Sequence, residues 1–192
     1  MTRAEIKIAG FGGQGVISAG IIVGKAASIF DKFHATMIQA FGPEARGSAC
    51  STQVVIDHAP IAYPYIQRPS ILVAFNQEAY ELFEPQLRDD GLLLYEEDMV
   101  TLRPNQRATL RTFGVPATRI AEEVGRSMVQ NVVMVGFFTA FCDFLTYEAV
   151  QKAVLDSIPP ATKDLNLAAL KRGFEHGQKV RAGVGVAAAV RR

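Results

Sequence analysis

Cysteine is scarce in this chain, charge of neither sign dominates, and no apolar run reaches membrane-spanning length. Cys50 and Cys142 are the only two cysteines in 192 residues. They stand far apart without a CxxC partner, so neither a zinc site nor an iron–sulfur ligand set can be assembled from this chain alone, and both thiols are expected to be reduced. Twenty Lys and Arg against nineteen Asp and Glu leave a net charge of +1. The basic residues are scattered, with the one dense run at the C-terminal end, and no aromatic–basic interleaving points to nucleic acid. A strand begins almost at the N-terminus, where a signal peptide would stand, so a cytoplasmic protein with no membrane partner is expected. His34, His58 and His176 show no metal-ligand spacing, and no internal repeat is present.

With 49% hydrophobic residues, the chain can bury one good core. A single domain is expected over residues 1–181, followed by a weakly ordered tail from Ala182. Strands and helices alternate along it. Ile6–Ala9 reads as a first strand and Val16–Phe30 as a helix, with Gly20 and Gly24 on one face for close packing. A second strand follows at Ala35–Phe41. Ser51–Ile56 and Ile61–Tyr65 read as a hairpin, and the continuous apolar run Ile71–Phe75 as a buried parallel strand. Asn76 is placed to cap a helix over Gln77–Phe83. LLLYEED from Leu92 is another buried strand, its three acids taken as a solvated loop, and Thr109–Phe113 is a further one. Helices are expected at Ala117–Val124, at Val129–Leu145 (apolar nearly all round and therefore buried), at Tyr147–Ser157 after a Thr146 cap, and at Thr162–Val180. The sum is an α/β fold, a Rossmann-like three-layer sandwich whose sheet is mostly parallel with an antiparallel portion.

The stretch IKIAGFGGQGVISAGIIVG, from Ile6 to Gly24, organises the rest. A β-branched strand enters Gly10, Gly12, Gly13 and Gly15 and leaves as a helix. Glycine tolerates positive φ and lets an external group approach the backbone, and the free amides of the first helical turn favour a phosphate or carboxylate. The alternative is a turn whose glycines only permit close helix–strand packing. A nicotinamide dinucleotide site would need an acid at the end of the second strand. That end reads Gln39-Ala40-Phe41-Gly42. Asp31 precedes the strand and Glu44 lies beyond it, so another phosphate-bearing ligand ranks higher.

A second unusual loop, GPEARGSACS from Gly42 to Ser51, excludes a regular element and puts Glu44 and Arg46 just past a strand's carboxyl end. Arg46 offers a planar fork to an anion, or an internal partner to Glu44. Gln130 and Asn131, at the start of the apolar helix, either cap it or hydrogen-bond a ligand or neighbouring chain.

GFGGQGV at Gly10–Val16, FGPEARGSACSTQVVI at Phe41–Ile56 and PSILVAFNQEAYELF at Pro69–Phe83 together resemble the gamma subunit of 2-oxoacid:ferredoxin oxidoreductases, most closely the 2-oxoglutarate branch. The resemblance covers Arg3 to about Gly177, and Asn131 and Gly136 also match its pattern. Ser48 departs from it, since the family usually has glycine after Arg46-Gly47. The resemblance implies an assembly that oxidatively decarboxylates a 2-oxoacid on thiamine diphosphate, passes electrons through iron–sulfur clusters to ferredoxin, and transfers the acyl group to coenzyme A. The gamma unit is associated there with coenzyme A binding. On this resemblance Gly10, Gly12, Gly13, Gln14, Gly15, Glu44, Arg46, Gly47 and Asn131 are the candidate cofactor-binding residues. No catalytic or metal-ligating residue is assigned. Thiamine diphosphate, magnesium and the clusters are expected in partner alpha and beta subunits, with or without a delta subunit. The chain has no GDG motif with a downstream Asn for a metal–diphosphate. A free-standing nucleotide-binding module or transferase is the alternative.

Overall fold

The computed structural model describes residues 3–42 and 49–190, with side chains to 183. Six short apolar runs form one sheet: β1 (Ala4–Phe11), β2 (His34–Phe41), β3 (Ala49–Asp57), β4 (Ile71–Ala74), β5 (Leu92–Glu96) and β6 (Arg111–Val115), in the order β2-β3-β1-β4-β5-β6. From β1 to β6 the neighbours are parallel, while β3 runs antiparallel to both β1 and β2. The expected mostly parallel sheet with an antiparallel portion is therefore present. The hairpin expected over Ser51–Tyr65 is not. Pro60 and Pro64 cannot donate to a ladder, and no strand forms between Asp57 and Ile71. The segment lies against the sheet instead, with the Ile66 amide donating to Gln53 Oε1 at 2.9 Å. The antiparallel partner of β3 is β2.

Helices cover both faces. On one lie α1 (Val16–Lys25), α3 (Ala117–Val124), α4 (Gln130–Phe141), α5 (Tyr147–Ser157) and α6 (Lys163–Val190), and on the other α2 (Gln77–Phe83). The alternation of β1 and β4 side chains explains the layers: Ile6, Ile8, Ile71 and Val73 face the larger group, and Ala9, Leu72 and Ala74 face α2. Helix α1 continues into a wider π turn over Ala26–Phe30. Of its two expected packing glycines only Gly20 is used. A Cβ there would come within 2.5 Å of Thr52 on β3, whereas nothing lies within 4 Å of one at Gly24.

Helix α4 is buried from Asn131 to Ala140, with α6 packed along it and α1, α3 and α5 around it. A Cβ at Gly136 would run into the Leu170 carbonyl, and one at Gly173 into the Val133 carbonyl. The two backbones thus meet at paired glycines. Helix α6 runs past Val180, the expected end of the last helix, to Val190. Caps at the predicted places start two helices: Asn76 Oδ1 accepts from Ala79 N at 2.9 Å and Thr146 Oγ1 from Ala149 N at 3.1 Å. Among the described residues, no helix is long and apolar enough to cross a membrane.

Candidate functional site

The glycine turn leaves the carboxyl end of β1, beside the carboxyl end of β4, where the first parallel crossover begins. The Gln14 amide closes it by donating to the Phe11 carbonyl at 3.1 Å. Gly13 has φ of 102° and Gly15, the N-cap of α1, has φ of 76°, values that strain any residue with a Cβ.

One side of the turn is packed and the other is open. A Cβ at Gly10 would lie 2.6 Å from Gln14 Oε1 and 2.8 Å from Phe75 Cβ, and one at Gly15 would lie 2.6 Å from the Asn131 carboxamide. At Gly13 no described residue stands within 4 Å of such a Cβ. The approachable stretch of backbone is therefore Gly13, next to the first amides of α1. The packing and ligand readings of these glycines divide along the turn, with Gly10 and Gly15 serving the first and Gly13 available to the second.

Gln14 is directed inward. Its Oε1 accepts from the Phe11 amide at 2.7 Å and from Asn76 Nδ2 at 3.1 Å, and its Nε2 donates to the Phe75 carbonyl at 3.5 Å. The side chain thus ties the β1 turn to the β4–α2 turn. Asn131, 8% exposed, supports the turn from below and donates to the Gly15 carbonyl at 3.4 Å. Neighbouring Gln130 accepts from Thr118 Oγ1 at 3.0 Å, joining α4 to α3.

Glu44, Arg46 and Gly47 lie outside the described residues. The two ends of their loop are at the turn: the Gly42 amide donates to the Ala49 carbonyl at 2.8 Å, Ala49 pairs with Phe11, and Cys50 pairs with both Gly10 and Phe41. Both unusual loops therefore leave the same edge of the sheet. Beside them a cavity of about 210 Å³ is lined by Gly10, Phe11, Phe41, Ala79 and Leu82, among other described residues.

The acids at the end of β5 are more than a solvated loop. Glu96 is fully buried, and its carboxylate accepts from the amides of Asp98, Met99 and Thr118 at 2.8, 2.8 and 3.1 Å. It joins the end of β5 to the first turn of α3. Glu97 and Asp98 share Arg119 at 2.8 and 2.7 Å. Sequence reasoning also took Asn76 only as a cap. Its Asn identity, two residues past the end of β4 and facing a Gln-bearing turn, carries no signal that its second function is to hold Gln14.

Metal and redox groups find no donor set in the described residues. No three His, Cys, Asp or Glu side chains gather where they could hold a metal ion. Cys50 lies on β3 and Cys142 follows α4, both buried, and burial pushes both thiols above their usual range, Cys142 strongly. Such thiols are poor nucleophiles and poor ligands.

The pyruvate ferredoxin/flavodoxin oxidoreductase family matches this sequence over residues 5–176. The 2-oxoglutarate synthase subunit KorC of Methanothermobacter thermautotrophicus is 45% identical over 178 residues, which cover 90% of this chain and 94% of that one. The crystal structure of a keto/oxoacid ferredoxin oxidoreductase gamma subunit from Geobacter sulfurreducens superposes with a TM-score of 0.80 at 36% identity, covering 91% of this chain and 98% of that one. The 2-oxoglutarate:ferredoxin oxidoreductase from Magnetococcus marinus, with 2-oxoglutarate, coenzyme A and succinyl-CoA bound, has the same fold in one part. Its TM-score is 0.82 at 20% identity, over 93% of this chain and 32% of that one.

Proposed function

Because the chain belongs to the pyruvate ferredoxin/flavodoxin oxidoreductase family, we propose that it is the gamma subunit of a 2-oxoglutarate:ferredoxin oxidoreductase. The complex converts a 2-oxoacid, coenzyme A and oxidised ferredoxin to an acyl-CoA, carbon dioxide and reduced ferredoxin. This chain contributes coenzyme A binding and subunit assembly. The observation that carries the reading is the near end-to-end likeness to 2-oxoglutarate synthase subunits.

The glycine turn supports a binding role. Gly13 and the amides at the start of α1 offer donors and the positive end of a helix dipole to a phosphate. Gln14, Asn76 and Asn131 hold that backbone in place, so it need not reorganise when an anion arrives. Arg46, from the loop anchored at the same edge, adds a charged fork to the same group, with Glu44 and Gly47 shaping that loop. The described residues do not fit an iron–sulfur cluster, so electron transfer belongs to partner chains, together with thiamine diphosphate and magnesium. The partners are alpha and beta subunits of a cytoplasmic complex, which delivers electrons to ferredoxin.

The purified subunit, given 2-oxoglutarate, coenzyme A and a viologen dye, is expected to reduce none. The complex purified with its partner subunits reduces dye in a coenzyme A-dependent manner and forms succinyl-CoA. Turnover by the pure subunit would contradict the division of labour. A complex fully active without this chain would remove its proposed role.

A further inference from the structure

We propose that the α2 side of the sheet is the face on which a partner subunit docks, and that an aspartate or glutamate of that partner meets the Lys7 ammonium. This rests on the reading of the chain as one subunit of a complex and gives that assembly a face and a charge. Lys7 lies in the middle of β1, opposite Gln53 of β3 and Leu72 of β4, and reaches toward the end of α2. It is 7% exposed, and its Nζ stands 3.9 Å from the centre of the Phe83 ring. Burial lowers its pKa below the ordinary lysine value.

Lysine is almost never so buried without an ion-pair partner. The groups beside Lys7 on its own face are already taken. Glu5 is held by Arg3 at 3.0 Å and by Arg88 at 2.6 Å, and Gln53 Oε1 accepts from the Ile66 amide. The Phe83 ring offsets part of the desolvation but brings no counter-charge. Among the described residues, the enclosed polar atoms without a partner are Gln106 Nε2 and Thr112 Oγ1, so the Lys7 ammonium keeps contact with solvent and can be reached from outside.

The layer around it is thin. Helix α2 has seven residues and packs on β1 and β4, while the irregular segment 58–70 crosses β3. Met37 of β2 meets Gly20 of α1, so by alternation Ile38 and Ala40 face the α2 side, where Ile38 is half-buried and Ala40 exposed. Leu82 of α2 and the paired rings of Tyr63 and Tyr65 are more than half exposed. Aromatic and apolar side chains around one desolvated charge are the composition of an interface centre. A protein segment laid on this face covers Leu82 and the tyrosines and brings a carboxylate to the ammonium. A small inorganic anion would neutralise Lys7 and leave those side chains uncovered, and it is the competing occupant.

The test uses the complex reassembled from this chain and its alpha and beta partners, with the isolated subunit as control. Lys7→Met keeps the aliphatic stem over Phe83 and removes the charge, and Leu82→Glu alters the exposed rim. Lys7→Met is expected to leave thermal unfolding of the isolated subunit unchanged or raised, and to weaken association with the partners by about thirtyfold or more, the scale of one member lost from a desolvated charge pair. Leu82→Glu should weaken association with the fold intact. Association at wild-type strength in either variant overturns the proposal, as does an isolated Lys7→Met subunit that unfolds at lower temperature, because the charge would then serve the fold. Sulfate titrated onto the isolated subunits should shift unfolding equally in wild type and Lys7→Met. A sulfate stabilisation lost in the variant overturns the proposal in favour of a small anion. If the wild-type chain itself forms no complex with the partners, the subunit reading fails and the docking face with it, whereas wild-type assembly unaffected by the variants removes the docking face alone.

Discussion

Gln14 and Asn76 are joined side chain to side chain, Nδ2 of the asparagine donating to Oε1 of the glutamine at 3.1 Å. The same glutamine oxygen takes the Phe11 amide, and the same asparagine caps α2. Removing either should therefore loosen two turns. Gln14→Ala leaves the Phe11 amide without its acceptor and is expected to destabilise the isolated subunit by about 1–3 kcal/mol in urea unfolding. Asn76→Ala should cost about 0.5–2 kcal/mol as a lost cap. The double variant is expected to fall short of the sum, because the two share a bond. Strict additivity would mean that the bond carries no energy.

Gly13 and Gly15 should differ under alanine substitution. At Gly13 only the backbone conformation is strained, worth about 1–3 kcal/mol. At Gly15 a similar strain is joined by contact with Asn131. Asn131→Ala in the same chain should relieve part of the Gly15→Ala loss and none of the Gly13→Ala loss. Equal relief at both positions in denaturant unfolding would disprove the contact.

Gly173→Val places two methyl groups where α6 crosses the Val133 carbonyl of α4. Overpacking of this kind costs about 1–3 kcal/mol or more, and because the obstacle is backbone rather than side chain, the upper end is expected. Thermal unfolding should show a large drop. A drop no greater than that of Gly24→Val, where the structure leaves open space, would contradict the described crossing.

His176 provides the pH test. Burial beside the Phe137 ring, 5.9 Å between centroids, lowers its pKa below the ordinary 6.5, with Glu97 opposing and Lys179 reinforcing the shift. In the unfolded chain the imidazole therefore takes a proton first on acidification. The stability it contributes is present above about pH 6.5 and is lost as the pH falls through the folded value. His176→Phe should flatten that part of the profile, measured as the difference between the two proteins from pH 7.5 down to 5. Wild-type stability that rises relative to the variant as the pH falls would reverse the assignment.

Local chemistry was legible in the sequence. The β1–α1 glycine turn, the Asn76 and Thr146 caps and the all-round burial of α4 follow from residue types within one or two turns of each other. Long-range pairing was not. Nothing within Ser51–Ile56 says that it lies between β2 and β1 rather than folding back on Ile61–Tyr65, although Pro60 and Pro64 argued against the latter. Side-chain direction was also hidden. Glu96 reads like its exposed neighbours Glu97 and Asp98, and only the strand register turns it inward to the α3 amides. Gln14 reads as a ligand group until Phe75 and Asn76 arrive from 61 and 62 residues along the chain.

The proposed coenzyme A site consists of the turn at Gly13 and the Arg46 fork. The most direct measurement is the coenzyme A dependence of 2-oxoglutarate oxidation by complexes carrying Gly13→Val or Arg46→Ala, with assembly read separately by native mass. Loss of a charge-assisted contact should raise the apparent coenzyme A constant by about one to two decades. Arg46→Lys should recover only part of it, and the mass of the complex should stay unchanged. Fully assembled complexes with wild-type coenzyme A dependence would contradict the account.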